Sequence, residues 1–218
     1  MVVPAVLLAL LYYVFDDRPE IFSTVGLIML GVFPFTVMFL VTSIAMLRER
    51  TTGTLERLLT TPMNRLDLLL GYAVAFGVLA AVQAAILTAI AYWAFNLTIL
   101  GSIWLVLMIA VADAILGMAL GLLCSAFART EFQAVQFMPA VVFPQLLLCG
   151  LFAPREVMAG FLQVISDIFP MTYAVQALQE IGAHPSATAI MWRDFGIVVG
   201  AAILASCLAA ATLRRRTD

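Results

Sequence analysis

Few residues in this sequence have the chemistry of a catalytic or binding group, and Asp113 stands out among them. It is the only acidic residue deep inside a long apolar segment, the run from about 102 to 127. Gly117 and Gly121 follow at helical spacing, so all three share one helix face. Small residues four apart are typical of closely packed helices. Asp113 is therefore expected at a seam between helices or subunits. Its carboxyl group either bonds across that seam or serves a path for substrate or protons.

The other reactive groups form no catalytic pattern. The chain has no lysine, and all eleven basic residues are arginine. This excludes a P-loop and Schiff-base lysine chemistry. His184 is the single histidine, with no acid at metal-ligand spacing, and is expected to be a solvated loop residue. Cys124, Cys149 and Cys207 lie in or next to apolar runs without paired spacing and are expected to be small buried hydrophobes.

The sequence also lacks common hydrolase and nucleic-acid-binding signatures. The sequence contains no H-E-x-x-H and no G-x-S-x-G motif,. Its basic residues are few and scattered, so nucleic-acid binding is not supported. The chain is expected to be no enzyme and to bind no metal or cofactor itself.

Composition indicates a membrane protein. Hydrophobic residues make up 64% of the 218 residues and charged residues 11%, and the mean hydropathy is +1.10. A soluble domain is about one quarter charged. Backbone polar groups in lipid must be satisfied within helices, so the predicted fold class is an all-α polytopic membrane protein, a single domain over 1–218.

Six apolar segments are candidate spans, and a membrane-spanning helix needs about 20 residues. They are 1–15, 21–47, 67–95, 102–127, 132–152 and 194–213. The first is short and has no basic flank, so a cytosolic N-terminal helix is expected to be missing. One set of loops holds eight of the eleven arginines, which places that set and both termini in the cytoplasm,.

The segment 153–193 is expected outside, as a short helical hairpin. Apolar residues recur at helical spacing in 155–169, which predicts an amphipathic helix lying on the outer interface. Pro170 is expected to end it. Thr172 is a candidate cap for a second short helix that Gly182 would end.

The fifth candidate span carries an unusual set of polar residues and prolines. Gln136, Ala140 and Pro144 share one face. Prolines leave backbone groups unpaired and amides seek partners in a dry bilayer. This face either lines a pathway or is a packing defect that neighbouring helices fill.

The segment 48–62 is the one long charged stretch between two membrane-length runs, and soluble partners are expected to meet the chain there. Thr54 can cap a short helix followed by Pro62. Leu55, Leu58 and Leu59 fall on one face of that helix. Such a helix either rests on lipid or inserts its leucines into a groove of another protein, and periodicity alone does not decide between them.

Two stretches resemble the permease subunit of bacterial type-2 ABC exporters, a family that includes antibiotic-resistance permeases. The segment Glu49–Pro62 is similar to the family's cytosolic E-R-x-x-G-T-L-E-x-L-x-x-T-P motif. The segments 149–154 and 169–179 resemble the family's signature before the last span. The resemblance covers nearly all of the chain, including the six-span layout with a cytosolic coupling helix between spans two and three.

The resemblance implies that a separate ATP-binding subunit docks on 48–62 and holds the ATP and Mg²⁺. The implied coupling positions are Glu49, Gly53, Glu56 and Arg57, with Leu55, Leu58 and Leu59 as the docking face. A second permease copy or homologue would complete the pathway in a bacterial plasma membrane, surrounded by lipid. The signature positions, implied to be structural, are Gly150, Pro154, Pro170, Tyr173 and Gln179.

Two rival functions remain open from the residues. One is an ion-gradient-driven six-span carrier in which Asp113 is the coupling carboxylate, although no inverted repeat with interrupted helices is visible. The other is a membrane scaffold or sensor subunit without transport. For an exporter, the abundance of Phe, Met and Leu favours an amphipathic or hydrophobic substrate such as a drug, lipid or glycolipid.

Overall fold

All regular structure that can be described in this chain is helical. The computed structural model describes residues 2–15, 17–52, 65–153 and 155–212. Its helices are α1 (Val2–Val14), α2 (Pro19–Thr51), α3 (Arg65–Ala89), α4 (Ile103–Ser125), α5 (Glu131–Leu148), α6 (Gly160–Ile168), α7 (Pro170–Ala183) and α8 (Ala189–Thr212). A π-helical turn, Ile90–Ala94, continues α3, and a 3₁₀ turn, Arg155–Val157, precedes α6. The predicted all-α fold class is confirmed.

Four helices in the described ranges are long and apolar enough to cross a membrane. Their spans are Pro19–Glu49, Gly71–Ala94, Ile103–Ser125 and Ala189–Thr212. The first and fifth predicted segments also form helices, of 13 and 18 residues. They do not belong to those four, so the count of six spans stays a prediction.

The last membrane-length helix begins five residues earlier than the sequence pattern indicated. Thr188 explains the difference, because its hydroxyl oxygen accepts a 3.1 Å hydrogen bond from the backbone N–H of Met191. This is the usual geometry of a helix N-cap. Arg193 and Asp194, expected at or beyond the end of the span, therefore lie inside α8.

Helices α2 and α4 form the most extensive contact of the bundle. A Cβ placed on Gly117 would lie 2.3 Å from the carbonyl oxygen of Phe35, and one on Gly121 would lie 2.4 Å from that of Phe39. The two backbones therefore touch where α4 has no side chain. Around this contact, α3 and α8 pack against α4, and α7 packs against α2, α4 and α8.

Helix α7 differs from the predicted second arm of an external hairpin. Pro170 does separate it from α6, but by starting α7, where a proline's fixed φ and missing N–H suit the first turn,. Thr172 is therefore a buried residue within the helix rather than its cap. Gly182 does not end α7 either. A Cβ there would lie 2.7 Å from the Leu27 side chain, so the glycine permits close packing on α2.

Helix α6 keeps the amphipathic character that its sequence predicts. Phe161, Val164, Ile165 and Ile168 repeat at helical spacing and are all exposed. Ser166, on the other side, is fully buried. An uncovered apolar stripe on a short helix next to a membrane bundle is typical of a helix lying in the lipid interface.

The cysteines fit the sequence interpretation only in part. Cys149 is buried and Cys124 is partly buried, whereas Cys207 is exposed on α8. Burial of Cys207 was therefore a wrong prediction. Apolar periodicity cannot tell a lipid-facing position from an interior one, because both are apolar in a membrane.

We expect Gly117→Ala and Gly121→Ala to destabilise the protein. The new methyl group meets a backbone carbonyl that has no side-chain freedom to move away, and overpacking of this kind costs about 1–3 kcal/mol. Unfolding in mixed detergent micelles with increasing dodecyl sulfate measures the change. Gly196→Ala and Gly200→Ala are matched controls, because a Cβ at either position meets nothing within 4 Å. Equal loss in both pairs would contradict the close contact between α2 and α4.

Candidate functional site

An ion pair joins the last turns of α2 to the first turn of α5. Arg48 Nε donates to Glu131 Oε1 at 2.7 Å, and Arg48 Nη2 donates to Oε2 at 3.0 Å. Exposed ion pairs contribute little to the stability of a folded protein on average. Their contribution is largest in the bidentate geometry seen here. The Arg48 guanidinium lowers the pKa of the Glu131 carboxyl group from its ordinary value of 4.5. The pair is therefore complete above pH 4.5 and is lost only as the pH falls through that lowered value.

The sequence around Glu131 fixes the start of α5. Thr130 is the N-cap, and its hydroxyl oxygen accepts a 3.2 Å hydrogen bond from the Gln133 N–H. The Gln133 side chain accepts in return from the Arg129 N–H at 2.9 Å. This reciprocal arrangement resembles a capping box. It holds Glu131 in the first turn, facing Arg48.

A second polar contact joins the end of α2 to the start of α3. The Tyr72 hydroxyl group donates a hydrogen bond to the Glu49 carboxylate. The Tyr72 ring stacks on Phe76 with centroids 6.2 Å apart, which fixes the ring's orientation on α3. Adjacent residues of α2 thus bind two different helices.

We call Arg48, Glu49, Tyr72 and Glu131 the clasp. Arg48 and Glu49 open the segment 48–62, which the family resemblance implies in docking, and Tyr72 lies in α3, the next described helix after it. Glu49 is the one implied coupling residue within the described ranges. The remaining implied coupling and docking residues lie outside them: Gly53, Leu55, Glu56, Arg57, Leu58 and Leu59.

Asp113 lies on the same face of α4 as the two glycines that contact α2. It is fully buried, and neither carboxyl oxygen has a hydrogen-bond partner among the described residues. A Cβ placed on Gly31 of α2 would lie 3.4 Å from Asp113 Oδ2. The carboxyl group therefore faces the α2 backbone within one chain. Other buried side-chain atoms of the described chain also lack partners, in Thr42, Ser43, Gln83, Thr88, Gln145, Arg155 and Asp194.

The polar residues of α5 occupy different environments. Gln136 is exposed, on a face with the exposed side chains of Phe132 and Phe143. Pro144 is half-buried. Gln145 is buried, and its Nε2 donates to the carbonyl oxygen of Val141 at 3.0 Å. Only the first of these positions presents a polar group on an outer surface of the bundle.

The signature positions before α8 serve different local roles. Gly150 has φ +96°, a left-handed conformation that favours glycine, directly after α5 ends,. Pro170 opens α7. The Tyr173 hydroxyl group donates to the carbonyl oxygen of Asp167 at 2.8 Å and so ties α7 to α6. Gln179 lines an open pocket. Pro154 lies outside the described residues.

Sequence comparison with known protein families identifies the family of this chain. The sequence profile of the ABC-2 type transporter family matches residues 1–182. The chain belongs to the ABC-2 type transporter family.

Three relatives illustrate the similarity of this ABC-2 family member to other named proteins. ABC transporter G family member 20 of Dictyostelium discoideum is 33% identical over 141 residues, 65% of this chain and 19% of the relative. The probable multidrug ABC transporter permease YbhR of Escherichia coli (strain K12) is 31% identical over 155 residues, 71% of this chain and 42% of the relative. The linearmycin resistance permease protein LnrN of Bacillus subtilis (strain 168) is 28% identical over 138 residues, which are 63% of this chain and 36% of the relative. The chain spans less than half the length of each.

Sequence reasoning missed several polar contacts of this ABC-2 chain. Asp194 is fully buried, and Arg193 Nε donates to its Oδ1 at 2.8 Å. Arg155 pairs with Asp167 and donates to Gln176 Oε1 at 3.3 Å. Asp194 carried a readable signal, since an acid in the first turns of an apolar helix seeks a partner. The Arg155 contacts carried none, because their partners lie 12 and 21 residues away in sequence.

Charge reversal tests the ion pair of the clasp. Arg48→Glu or Glu131→Arg alone places like charges opposite each other, so we expect amide hydrogen exchange to become a few-fold faster in the first turn of α5 and the last turn of α2. The double variant Arg48→Glu/Glu131→Arg restores opposite charges and should restore protection. Arg129→Glu, an exposed neighbour outside the pair, is the control. If the double variant exchanges as fast as the singles, the pair does not hold these helices together.

Proposed function

We propose that the chain is the membrane-spanning subunit of an ATP-driven ABC exporter, with ATP and Mg²⁺ bound and hydrolysed on a separate subunit. The observation that carries the proposal is the family match over residues 1–182, on a chain with four membrane-length helices. Relatives named as multidrug and resistance permeases support the export direction.

The proposed topology has six spans in a bacterial plasma membrane, with both termini in the cytoplasm. Helices α1 and α5 would supply the remaining two spans. At 1.5 Å per residue α1 reaches about 20 Å, short of the roughly 30 Å of a bilayer core. The arginine distribution supports this orientation, and it puts the clasp on the cytoplasmic side and α6 on the outer side.

The segment 48–62 is proposed as the docking site of the ATP-binding subunit. The clasp supports this role by geometry. Because Arg48 binds α5 and Glu49 binds α3, a displacement of the segment would act on three helices together. A docking segment fixed only to its own helix would move that helix alone.

A second permease copy or homologue is proposed to cover the outer face of α5 and to form the pathway there. Gln136 is exposed on that face among aromatic residues, and an amide facing lipid is disfavoured relative to one facing a partner or a wet path,. Pro139, also exposed there, leaves a backbone carbonyl unpaired within the helix,. A pathway at this face of α5 would be lined mostly by apolar side chains. Such a lining favours an amphipathic or hydrophobic substrate such as a drug, lipid or glycolipid.

A pull-down from native membranes tests the docking proposal. We expect ATPase activity to co-purify with the wild-type chain and to be lost with Glu56→Arg/Leu58→Asp, which places reversed and added charge on the docking face. Glu20→Arg/Leu100→Asp is the control, because both residues are exposed toward the other end of the bundle. Absence of any ATP-binding partner from intact membranes would contradict the proposal.

An ion-gradient-driven carrier is the second candidate, and the two unpartnered oxygens of Asp113 favour it. The ATP-driven proposal predicts that Asp113→Asn leaves the pH profile of transport unchanged, because the amide keeps the size of the carboxyl group at a packed seam. Transport into vesicles across a range of external pH measures this, with Glu20→Gln as the control. A pH dependence that disappears in Asp113→Asn alone would favour the carrier.

A further inference from the structure

An open pocket lies at the end of the bundle opposite the clasp. Its volume is about 330 Å³. Three elements form it: the first turns of α2, the loop between α3 and α4, and the last turns of α7. The lining residues are Ser23, Thr24, Leu27, Thr98, Gln179, Gly182 and Ala183. This volume is at the lower end for ligand sites, which suits one head group better than a whole drug-sized molecule.

The residues that line the pocket combine hydroxyl and amide groups with a larger apolar surface, and none of them carries a charge. Ser23 and Thr98 share a 2.8 Å hydrogen bond across the pocket, between α2 and the loop. The half-buried amide of Gln179 has no hydrogen-bond partner among the described residues. An amide and two hydroxyl groups offer both donors and acceptors. A charged group entering this pocket would find no opposite charge to offset its lost hydration.

A smaller aromatic pocket of about 130 Å³ adjoins the polar one. Its lining includes Tyr12, Phe15, Phe22 and Phe95, and Ser23 lines both pockets. The Tyr12 ring lies 5.3 Å from Phe22 and 5.1 Å from Phe95, centroid to centroid. Aromatic faces beside neutral hydrogen-bonding groups suit a molecule with one apolar part and one polar, uncharged part.

We propose that these two pockets form one binding site for an amphiphile with an uncharged, hydroxyl- or amide-rich head group. The head group binds Gln179, Ser23 and Thr98, and the adjoining apolar part contacts the aromatic cluster. The site is separate from the exposed face of α5 and from the clasp. A membrane lipid with a sugar head group and a transported amphiphile share this chemistry.

Photo-affinity labelling of the purified chain in phosphatidylcholine nanodiscs tests the site. The probe is an alkyl β-glucoside with a diazirine in its chain, and labelled peptides are mapped by mass spectrometry. We expect labelling in 12–27, 95–98 and 179–183. Gln179→Leu should weaken apparent probe affinity about fivefold, the effect of one lost hydrogen bond. Alkyl sulfate and alkyl trimethylammonium probes with the same chain should label these peptides far less.

Two further variants keep the result interpretable. Gln163→Leu makes the same substitution on α6, outside the pocket, and should label as wild type. Thr98→Val changes a loop residue without altering a helix and should reduce labelling, with thermal stability followed in every variant. Wild-type affinity in both pocket variants, no labelling of wild type at these peptides, or equal labelling by the charged probes would each overturn the proposal.

The source of the ligand is resolved by competition. Displacement of the probe by added glycolipid in the absence of ATP indicates a resident lipid. Displacement by exported amphiphiles, with matching loss of their transport in Gln179→Leu, indicates a substrate site. Labelling itself requires neither ATP nor an ATP-binding subunit, so its failure is distinguishable from failure of the proposed export function.

Discussion

The close contact between α2 and α4 is the constraint on which the arrangement of this bundle depends. In a membrane the hydrophobic effect does not drive helices together, because lipid tails are as apolar as a leucine side chain. Association has to come from packing, and packing is closest where Gly117 and Gly121 let α4 reach the carbonyl groups of Phe35 and Phe39. The remaining helices pack around this pair, and the polar ends of α2 take their positions from it.

The same contact explains why Asp113 is unusual. Asp113 lies one turn from this backbone-to-backbone contact, and neither of its carboxyl oxygens has a hydrogen-bond partner among the described residues. Gly31 of α2 lies opposite this carboxyl group and has no side chain to displace it. Two ion pairs lie at the ends of these helices, where Arg48 meets Glu131 and Arg193 meets Asp194.

The sequence predicts where the helices lie along the chain better than it predicts which helices pack against each other. Apolar run length identified the helices, and glycine spacing identified the face of α4 that packs, because both signals are local. The burial of α7 could not be read in this way. Its Met171, Val175 and Leu178 alternate with polar residues as on a surface helix, and only the fold brings α2, α4 and α8 around them. The clasp escaped prediction for a related reason, since its partners lie 23 and 83 residues apart.

Helix α2 has the proportions of a lever. It runs unbroken from Pro19 to Thr51, about 50 Å at 1.5 Å per residue,. Phe35 is its midpoint, so the contact with Gly117 lies where a fulcrum would lie. One arm ends at the pocket beside Ser23 and the other at the clasp beside Arg48. A tilt of about 10° around that contact displaces the two ends by roughly 4 Å in opposite directions. Because Ser23 and Arg48 lie on the same continuous helix, a displacement at either end is transmitted through α2 to the other.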